Sequence, residues 1–404
     1  MSHRSKRARI SDTLASRVAG EVVLADQRPG SAESKVAPIL SEESADRAVW
    51  ARLVDLAGED GFLPFDIFTE VALYEPYAGY YERTEHVPGP KGDFYTAPQV
   101  NPLFGRALAR RILSVHRSLG SPKSFRIVEL GSGDGALALS ILTELLRKGA
   151  DAVHWEYVLA ERSSALRKRC SERLASLEAT PGWSYRFSEG VASLGPFKGF
   201  VLANEYLDAQ PHRRIVWREK SWRELGVRLE GTHASWEERP LGPGFGPPPL
   251  PTPITDPTIL EISGSAEGIV REVGDNLSAG LAILIDYGYE QDELLGAHSS
   301  GTLAGVRAHR DAPNPLATPG RLDLSCFVNF TRIRAVAQGA GLREITFSRQ
   351  AEALAAWGFA ELLDEAVRAA GSSEEEVKIR LGAKNLLFGF ENFRVLELAV
   401  GDVA

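Results

Sequence analysis

The chain has 404 residues, of which 44% are hydrophobic and 25% charged, as is typical of globular proteins. Its formal net charge of -8 argues against the basic surface with which proteins bind nucleic-acid phosphates. The two cysteines belong to no Cys/His cluster, so the sequence predicts neither a disulfide framework nor a metal site. No apolar run has the length of a membrane span.

The first 43 residues show little hydrophobic periodicity and are predicted to form a flexible segment outside the fold. They are rich in Arg and Ser and poor in acids, as transit peptides are, but we favour a disordered leader. From Ser44 onwards apolar residues recur at helical spacing, and further helices are predicted near 65–73 and 101–118. The long Gly, Pro and Tyr segment between these two helices is of a kind that compact domains rarely keep without a use for it.

The middle of the chain alternates short apolar runs with amphipathic segments. Strands are predicted at 124–131, 155–162, 183–190, 199–208 and 280–289, with helices at 136–148 and 164–175. This alternation predicts an α/β fold with a mostly parallel, doubly wound sheet, whose functional loops lie at the carboxyl ends of the strands. Insertions are expected at about 209–265 and 291–335, and the end is predicted as strand 342–348, helix 351–370 and strand 390–400.

A glycine-rich loop, VELGSGDG, ends the first core strand. Gly131, Gly133 and Gly135 let the backbone turn tightly and let a ligand lie against it, and the following helix directs its N–H groups to the same place. The spacing also permits a dinucleotide fingerprint, so NAD binding stays open. Glu129 favours S-adenosylmethionine instead, because a carboxylate suits the amino-acid part of that cofactor and opposes a pyrophosphate.

Two further acids are candidate cofactor ligands. Glu161 ends the second strand, where a carboxylate can accept both ribose hydroxyls of a nucleotide cofactor. Glu189 follows the third strand, where an adenine would lie.

Polar residues also end the fourth strand, in the segment NEYLDAQP. Asn204, Glu205 and Asp208 lie at the end of this strand, and Asp286 in the fifth strand lies at the same sheet edge. Carboxylates are rarely buried without partners, so we expect the carboxylates of this segment to contact a ligand. A guanidinium is a planar cation that carboxylates hold bidentately, and methyl transfer to one of its nitrogens depends on such positioning. The four residues are therefore candidate catalytic residues for a cationic nitrogen acceptor.

Several segments together resemble the MidA-like methyltransferases, the family of the mitochondrial complex I assembly factor that methylates an arginine of a complex I subunit. The resemblance runs from about residue 62 to the end of the chain. The matching segments are FDIFTEVALYEPYAGYY (65–81), GDFYTAPQVNPLFG (92–105), VELGSGDGALA (128–138), NEYLDAQP (204–211), and GTLAGVRAHR with PLATPGRLDLS in 301–325.

The resemblance implies a Rossmann-like class I methyltransferase domain over 44–404, with a helical lead-in over 44–123 and the core from 124. It implies S-adenosyl-L-methionine at the glycine loop, with Gly92, Asp93 and Phe94 closing over it. It also implies a protein or peptide acceptor, with a respiratory complex I subunit as the family's example. A homodimer is a further expectation, as is a cytoplasmic location, or the mitochondrial matrix if the chain is eukaryotic.

The sequence departs from the family pattern at a few positions. Ser132 replaces a usual proline in the glycine loop, and DLSCFVNF has Phe327 and Asn329 where the family has histidine and aspartate. Four interpretations therefore stand. They are a protein arginine methyltransferase, a methyltransferase on a peptide or small molecule, a cofactor-binding assembly factor without turnover, and an NAD-dependent oxidoreductase, which Glu129 disfavours.

Overall fold

The computed structural model describes residues 40–83, 101–148, 153–242, 254–307 and 310–403. Its helices are α1 (Glu42–Ala57), α2 (Phe65–Tyr74), α3 (Leu103–Ser118), α4 (Ala136–Arg147), α5 (Ser164–Leu174), α6 (Gly264–Asn276), α7 (Gln291–Ala297), α8 (Phe330–Gly339), α9 (Gln350–Ala356), α10 (Phe359–Ala369) and α11 (Ser373–Phe388). Its strands are β1 (Phe62–Leu63), β2 (Ser124–Leu130), β3 (His154–Ala160), β4 (Trp183–Ser188), β5 (Phe197–Asn204), β6 (Arg213–Arg218), β7 (Ser221–Glu230), β8 (His233–Pro240), β9 (Thr258–Ile262), β10 (Leu277–Tyr289), β11 (Ala304–Arg307), β12 (Arg310–Asp311), β13 (Asp323–Ser325), β14 (Val328–Asn329), β15 (Arg343–Arg349) and β16 (Phe393–Val400).

The central sheet has the strand order β15-β16-β10-β5-β2-β3-β4, and β14 pairs with the end of β10. The five strands from β10 to β4 run parallel, whereas β16 and β15 are antiparallel to their neighbours. From β2 the chain first adds β3 and β4 on one side of the sheet and then β5 and β10 on the other side, so the order of the strands reverses at β2. In sheets of this kind the crevice beyond the carboxyl ends of such strands holds the ligand.

Helices cover both faces of this sheet because successive side chains of a strand point to opposite faces. In β5, Phe200 and Leu202 join one apolar cluster with α3, α4, α5 and α9 to α11. Val201 and Ala203 join a second cluster with α6 and α8. All four side chains are buried, so β5 lies in the middle of the core and its carboxyl end is held firmly.

A second, antiparallel sheet interrupts the core between β5 and β10. Its order is β1-β7-β6-β9, with β8 paired to β7. Helices α1 and α2 pack against it through an apolar cluster that includes Phe65, Phe68 and Val227. The end of α2 reaches the core, where the Tyr74 hydroxyl donates a hydrogen bond to the Ala209 carbonyl at 3.0 Å. The lead-in helices therefore lie beside the carboxyl end of β5.

A third, small sheet is formed by the second insertion, in the order β12-β11-β13. The residue after β13 contacts the core directly, because the Cys326 N–H donates to the Asp208 carbonyl at 3.1 Å. This hydrogen bond places the second insertion against the turn that follows β5.

The predicted doubly wound α/β core is confirmed. The single helix predicted over 351–370 is wrong, since α9 and α10 are separate. Gly358 adopts a φ of 80° between them, and Arg110 Nη1 donates to its carbonyl at 2.7 Å. Helix α11 was not predicted. Among the helices in the described ranges, none has the length and apolar character that crossing a membrane requires.

Candidate active site

A cavity of about 350 Å³ lies at the carboxyl edge of the parallel strands. Its volume is in the range of small-molecule binding sites. The loops after β2, β3, β4 and β5 all reach it. Eight of the residues predicted from the sequence are among its lining residues, namely Glu129, Gly131, Gly133, Glu161, Glu189, Asn204, Glu205 and Asp208.

The glycine loop forms the floor of the cavity at the end of β2. Gly133 has a φ of 54°, which side-chain-bearing residues rarely adopt, and a Cβ atom there would meet no other atom within 4 Å. A larger side chain at this position would therefore project into open space at the cavity. Gly135 does not line the cavity. It precedes α4, and a Cβ there would lie 2.6 Å from Cys170 Sγ, so it permits close packing of α4 on α5.

Glu129 is a buried carboxyl group at the cavity wall. The Tyr157 hydroxyl donates to Glu129 Oε2 at 2.6 Å. Burial raises the pKa of Glu129 to about 8, although the Tyr157 hydrogen bond opposes that rise. A ligand cation entering the cavity would favour the ionised carboxylate, as an ammonium group does.

Glu161 joins two loops of the cavity. Its Oε2 accepts the Gly133 N–H at 2.9 Å, and its Oε1 accepts the Ser163 N–H at 2.9 Å. Burial raises the pKa of Glu161 to about 7 in spite of these two donors. The glycine loop therefore depends on a carboxylate from the neighbouring strand. Each oxygen of Glu161 can still accept a second hydrogen bond.

The other residues that were predicted to bind the cofactor differ in their placement. Glu189 lines the cavity with an exposed side chain. Gly92, Asp93 and Phe94 lie outside the described residues.

Glu205 occupies a strained position directly after β5. Its φ is 50°, in the left-handed region that non-glycine residues seldom enter, and its N–H donates to the Ile285 carbonyl at 2.9 Å. The Asn204 side-chain amide donates to Glu205 Oε1 at 3.1 Å. Backbone strain of this kind concentrates at functional sites, where the surrounding structure enforces it. Here it directs a glutamate to the cavity.

Asp208 is buried at the same end of the cavity. Its Oδ2 accepts a hydrogen bond from the Tyr287 hydroxyl, and its Oδ1 has no hydrogen-bond partner among the described residues. Burial raises the pKa of Asp208 to about 6. A buried acceptor oxygen without a donor is costly unless a ligand supplies one.

Asp286, predicted as an acceptor-binding residue, does not line the cavity. Its Oδ2 accepts the N–H groups of Tyr206, Leu207 and Asp208 at 3.1, 2.8 and 3.2 Å, and its Oδ1 accepts the Tyr287 N–H at 2.9 Å. Burial, together with the nearby Asp208 charge, raises the pKa of Asp286. The prediction is corrected accordingly: Asp286 positions the turn that carries Glu205 and Asp208, and its own oxygens are occupied by that turn.

Residues from outside the core complete the cavity. Tyr74 and Tyr81 come from the lead-in, and Asp323 and Ser325 come from β13. All four residues lie in segments that resemble the family, but no motif in the sequence predicts a role for them. The two departures in DLSCFVNF, at 327 and 329, lie outside the cavity lining.

The cavity is strongly acidic. Arg162 is the one basic residue among its described lining, and its Nη2 is paired with Glu70 Oε1 at 2.7 Å. Seven acidic residues line it, namely Glu129, Asp134, Glu161, Glu189, Glu205, Asp208 and Asp323. Of these, Asp134 is neutralised by Arg173 at 2.5 Å. A cationic ligand would favour the ionised form of these carboxyl groups.

Comparison with known proteins assigns this architecture. The model of the family described as "Putative S-adenosyl-L-methionine-dependent methyltransferase" matches residues 107–348, more than half of the chain. The chain is 27% identical over 309 residues to the mitochondrial protein arginine methyltransferase NDUFAF7 homolog of Drosophila melanogaster, covering 70% of this chain and 68% of the relative. It is 28% identical over 294 residues to the Homo sapiens protein arginine methyltransferase NDUFAF7, mitochondrial, covering 67% of this chain and 65% of that relative. The match thus spans about two thirds of the length of these relatives.

Solved structures agree with this comparison. The chain is similar to a Burkholderia thailandensis protein crystallised with S-adenosyl-homocysteine, with a TM-score of 0.78 and 27% identity over 90% of this chain and 95% of that one. The native structure from the same organism gives a TM-score of 0.77 and 26% identity with the same coverage. The predicted Rossmann-like methyltransferase fold and the predicted cofactor, S-adenosyl-L-methionine, are confirmed. The chain belongs to the MidA-like family of S-adenosyl-L-methionine-dependent methyltransferases.

Proposed function

We propose that this methyltransferase acts on an arginine side chain of a protein. It holds this side chain at the end of the cavity that Glu205 and Asp208 line, here called the acidic end. The observation that carries the proposal is the buried Asp208 carboxylate, whose Oδ1 has no partner among the described residues and which lies in the same cavity as Glu205. A guanidinium offers five N–H donors in a planar fork and stays protonated, so it matches such an acceptor group. The names of the relatives point to the same substrate class.

The donor side of the cavity fits S-adenosylmethionine. Glu129 would hold the ammonium group, Glu161 would accept the ribose hydroxyls, and Gly133 leaves room for the ligand against the backbone. Buried Ser132 Oγ and Asn204 Oδ1 also have no partner among the described residues, so polar ligand atoms would complete them. When bound, the donor supplies an electrophilic methyl group on a sulfonium.

The acidic end provides the other half of the chemistry. Glu205 and Asp208 orient the guanidinium and localise its positive charge on the nitrogens that they contact, which leaves electron density on the attacking nitrogen. That nitrogen forms the new N–C bond as the S–C bond breaks, and it loses one proton. Glu205 is placed to accept this proton, because it lines the cavity at the strained end of β5.

The partner and the compartment belong to the same proposal. The resemblance supports a respiratory complex I subunit as the acceptor protein, and the two relatives described above are mitochondrial by name. A eukaryotic chain would thus act in the mitochondrial matrix and a bacterial one in the cytoplasm. We also propose that the protein forms a homodimer. Light scattering of the purified protein would measure its oligomeric state.

Replacing Gly133 with valine tests the donor site. The side chain would occupy the open space at the cavity and force a β-branched residue to a φ of 54°. We expect the affinity for S-adenosylmethionine, measured by calorimetric titration, to fall at least about tenfold. Gly120→Val is the control, since Gly120 has a φ of 82° and equally open space but lies outside the cavity lining. Unchanged affinity in Gly133→Val would remove the loop from the donor site.

Donor binding should depend on the protonation of Glu161. Because the pKa of this carboxyl group is about 7, it is increasingly protonated below that pH and accepts ribose hydroxyls less well. We expect the affinity for adenosine, which lacks the amino-acid part that would contact Glu129, to fall by up to about tenfold per pH unit below the pKa. Glu161→Gln should bind adenosine more weakly at high pH and lose this dependence. A wild-type profile parallel to that of the variant would contradict the ribose assignment.

Glu205→Gln tests the catalytic end while keeping the size and the backbone strain of the residue. We expect methyl transfer from labelled S-adenosylmethionine into lysate proteins to fall by about 100-fold or more, with donor affinity unchanged. Mass spectrometry of the labelled protein should find methylarginine. Glu178→Gln removes an exposed acid outside the cavity and is the control. A wild-type rate in Glu205→Gln would contradict its catalytic role, and label on another residue type or on a small molecule would contradict the arginine acceptor.

A further inference from the structure

Asp323 is an acidic residue that lines the cavity but comes from outside the central sheet and the glycine loop. It begins β13 in the second insertion, and its side chain is buried at the cavity wall. The Tyr81 hydroxyl donates to Asp323 Oδ1 at 2.7 Å. Ser325, two residues later on the same strand, lines the cavity as well, so this face of β13 forms part of its wall.

Asp323 and Asp208 form two similar acid–phenol pairs in one neighbourhood. Tyr81 donates to Asp323 and Tyr287 donates to Asp208. Burial holds the pKa of both tyrosines well above 10, and each of the two carboxylates adds to that rise at each tyrosine. The hydrogen bond from the Cys326 N–H to the Asp208 carbonyl joins the two segments. The phenols therefore stay neutral donors that orient the two carboxyl groups.

The unpartnered Oδ1 of Asp208 is an independent sign that a ligand belongs here. Asp208 is 5% exposed and lines the cavity, and no described residue donates to that oxygen. A buried carboxylate oxygen needs a donor, and the tyrosine of the pair already serves the other oxygen. A molecule with N–H donors that enters the cavity would supply the missing hydrogen bond.

We propose that Asp323 is a third acceptor-binding residue beside Glu205 and Asp208, and that Asp323 and Asp208 form a two-carboxylate seat that selects arginine over lysine. This inference rests on the proposed function. A guanidinium presents donors along several edges and can contact both carboxylates, whereas a lysine ammonium is a compact point charge on a flexible stem.

The test titrates the protein, saturated with S-adenosylhomocysteine, with N-acetyl-arginine amide and with N-acetyl-lysine amide. We expect the arginine probe to bind, and the lysine probe to bind about tenfold more weakly or worse. Asp323→Asn should weaken the arginine probe by about tenfold or more and reduce its preference over the lysine probe. Tyr81→Phe, which keeps the ring and the carboxylate, should cause a smaller loss. Asp292→Asn, a change of the same kind at an exposed helix position, should change nothing.

The outcomes separate the two proposals. Arginine binding within twofold of wild type in Asp323→Asn would overturn the seat and leave the proposed function intact. Loss of S-adenosylhomocysteine binding in that variant would also overturn it, since Asp323 would then support the fold. A wild-type protein that binds S-adenosylhomocysteine but neither probe would contradict the arginine acceptor itself, and the seat with it.

Discussion

The carboxylate of Asp286 accepts three consecutive backbone N–H groups from the turn after β5, and the acidic end of the cavity depends on this contact. The turn must place Glu205 in a left-handed conformation and bury Asp208, and neither is favourable by itself. Asp286 comes from β10, the parallel neighbour of β5, so the pairing of these two central strands fixes the acid against the turn. The sheet thus enforces at its edge a geometry that the local sequence would not adopt alone.

The cavity is built from buried acids that have hydrogen-bond donors but few counter-cations. Glu129 is satisfied by a phenol, Glu161 by two backbone N–H groups and Asp208 by another phenol. These neutral donors hold the carboxylates in place without neutralising them, and burial raises the pKa of each. In the free protein near neutral pH, protons therefore occupy part of these carboxyl groups, and a cationic ligand would favour their ionised form. A sulfonium donor and the proposed guanidinium acceptor are both cations, so the acidic residues of the cavity would favour the binding of both.

The core and the donor loop follow from sequence because they depend on short-range patterns. Alternating strand and helix periodicities predict the parallel sheet, and a parallel sheet brings strand ends such as Glu161 to one edge. That Tyr287 and not Asp286 lines the cavity could not be predicted, because adjacent strand residues point to opposite sides and only the register decides which one faces the cavity. Asp323 was missed because it reaches the site through an insertion without periodicity. The break at Gly358 was missed because the apolar pattern continues through it.

The central claim is that one cavity joins a donor site at the glycine loop to a guanidinium site at the turn after β5. A crystal structure of the protein with S-adenosylhomocysteine and N-acetyl-arginine amide tests it most directly. The account predicts the amino-acid part of the donor product at Glu129, its ribose at Glu161, and the guanidinium on Asp208 with its terminal nitrogens directed toward the sulfur. A guanidinium bound elsewhere, or a donor product whose sulfur lies away from Glu205 and Asp208, would contradict it.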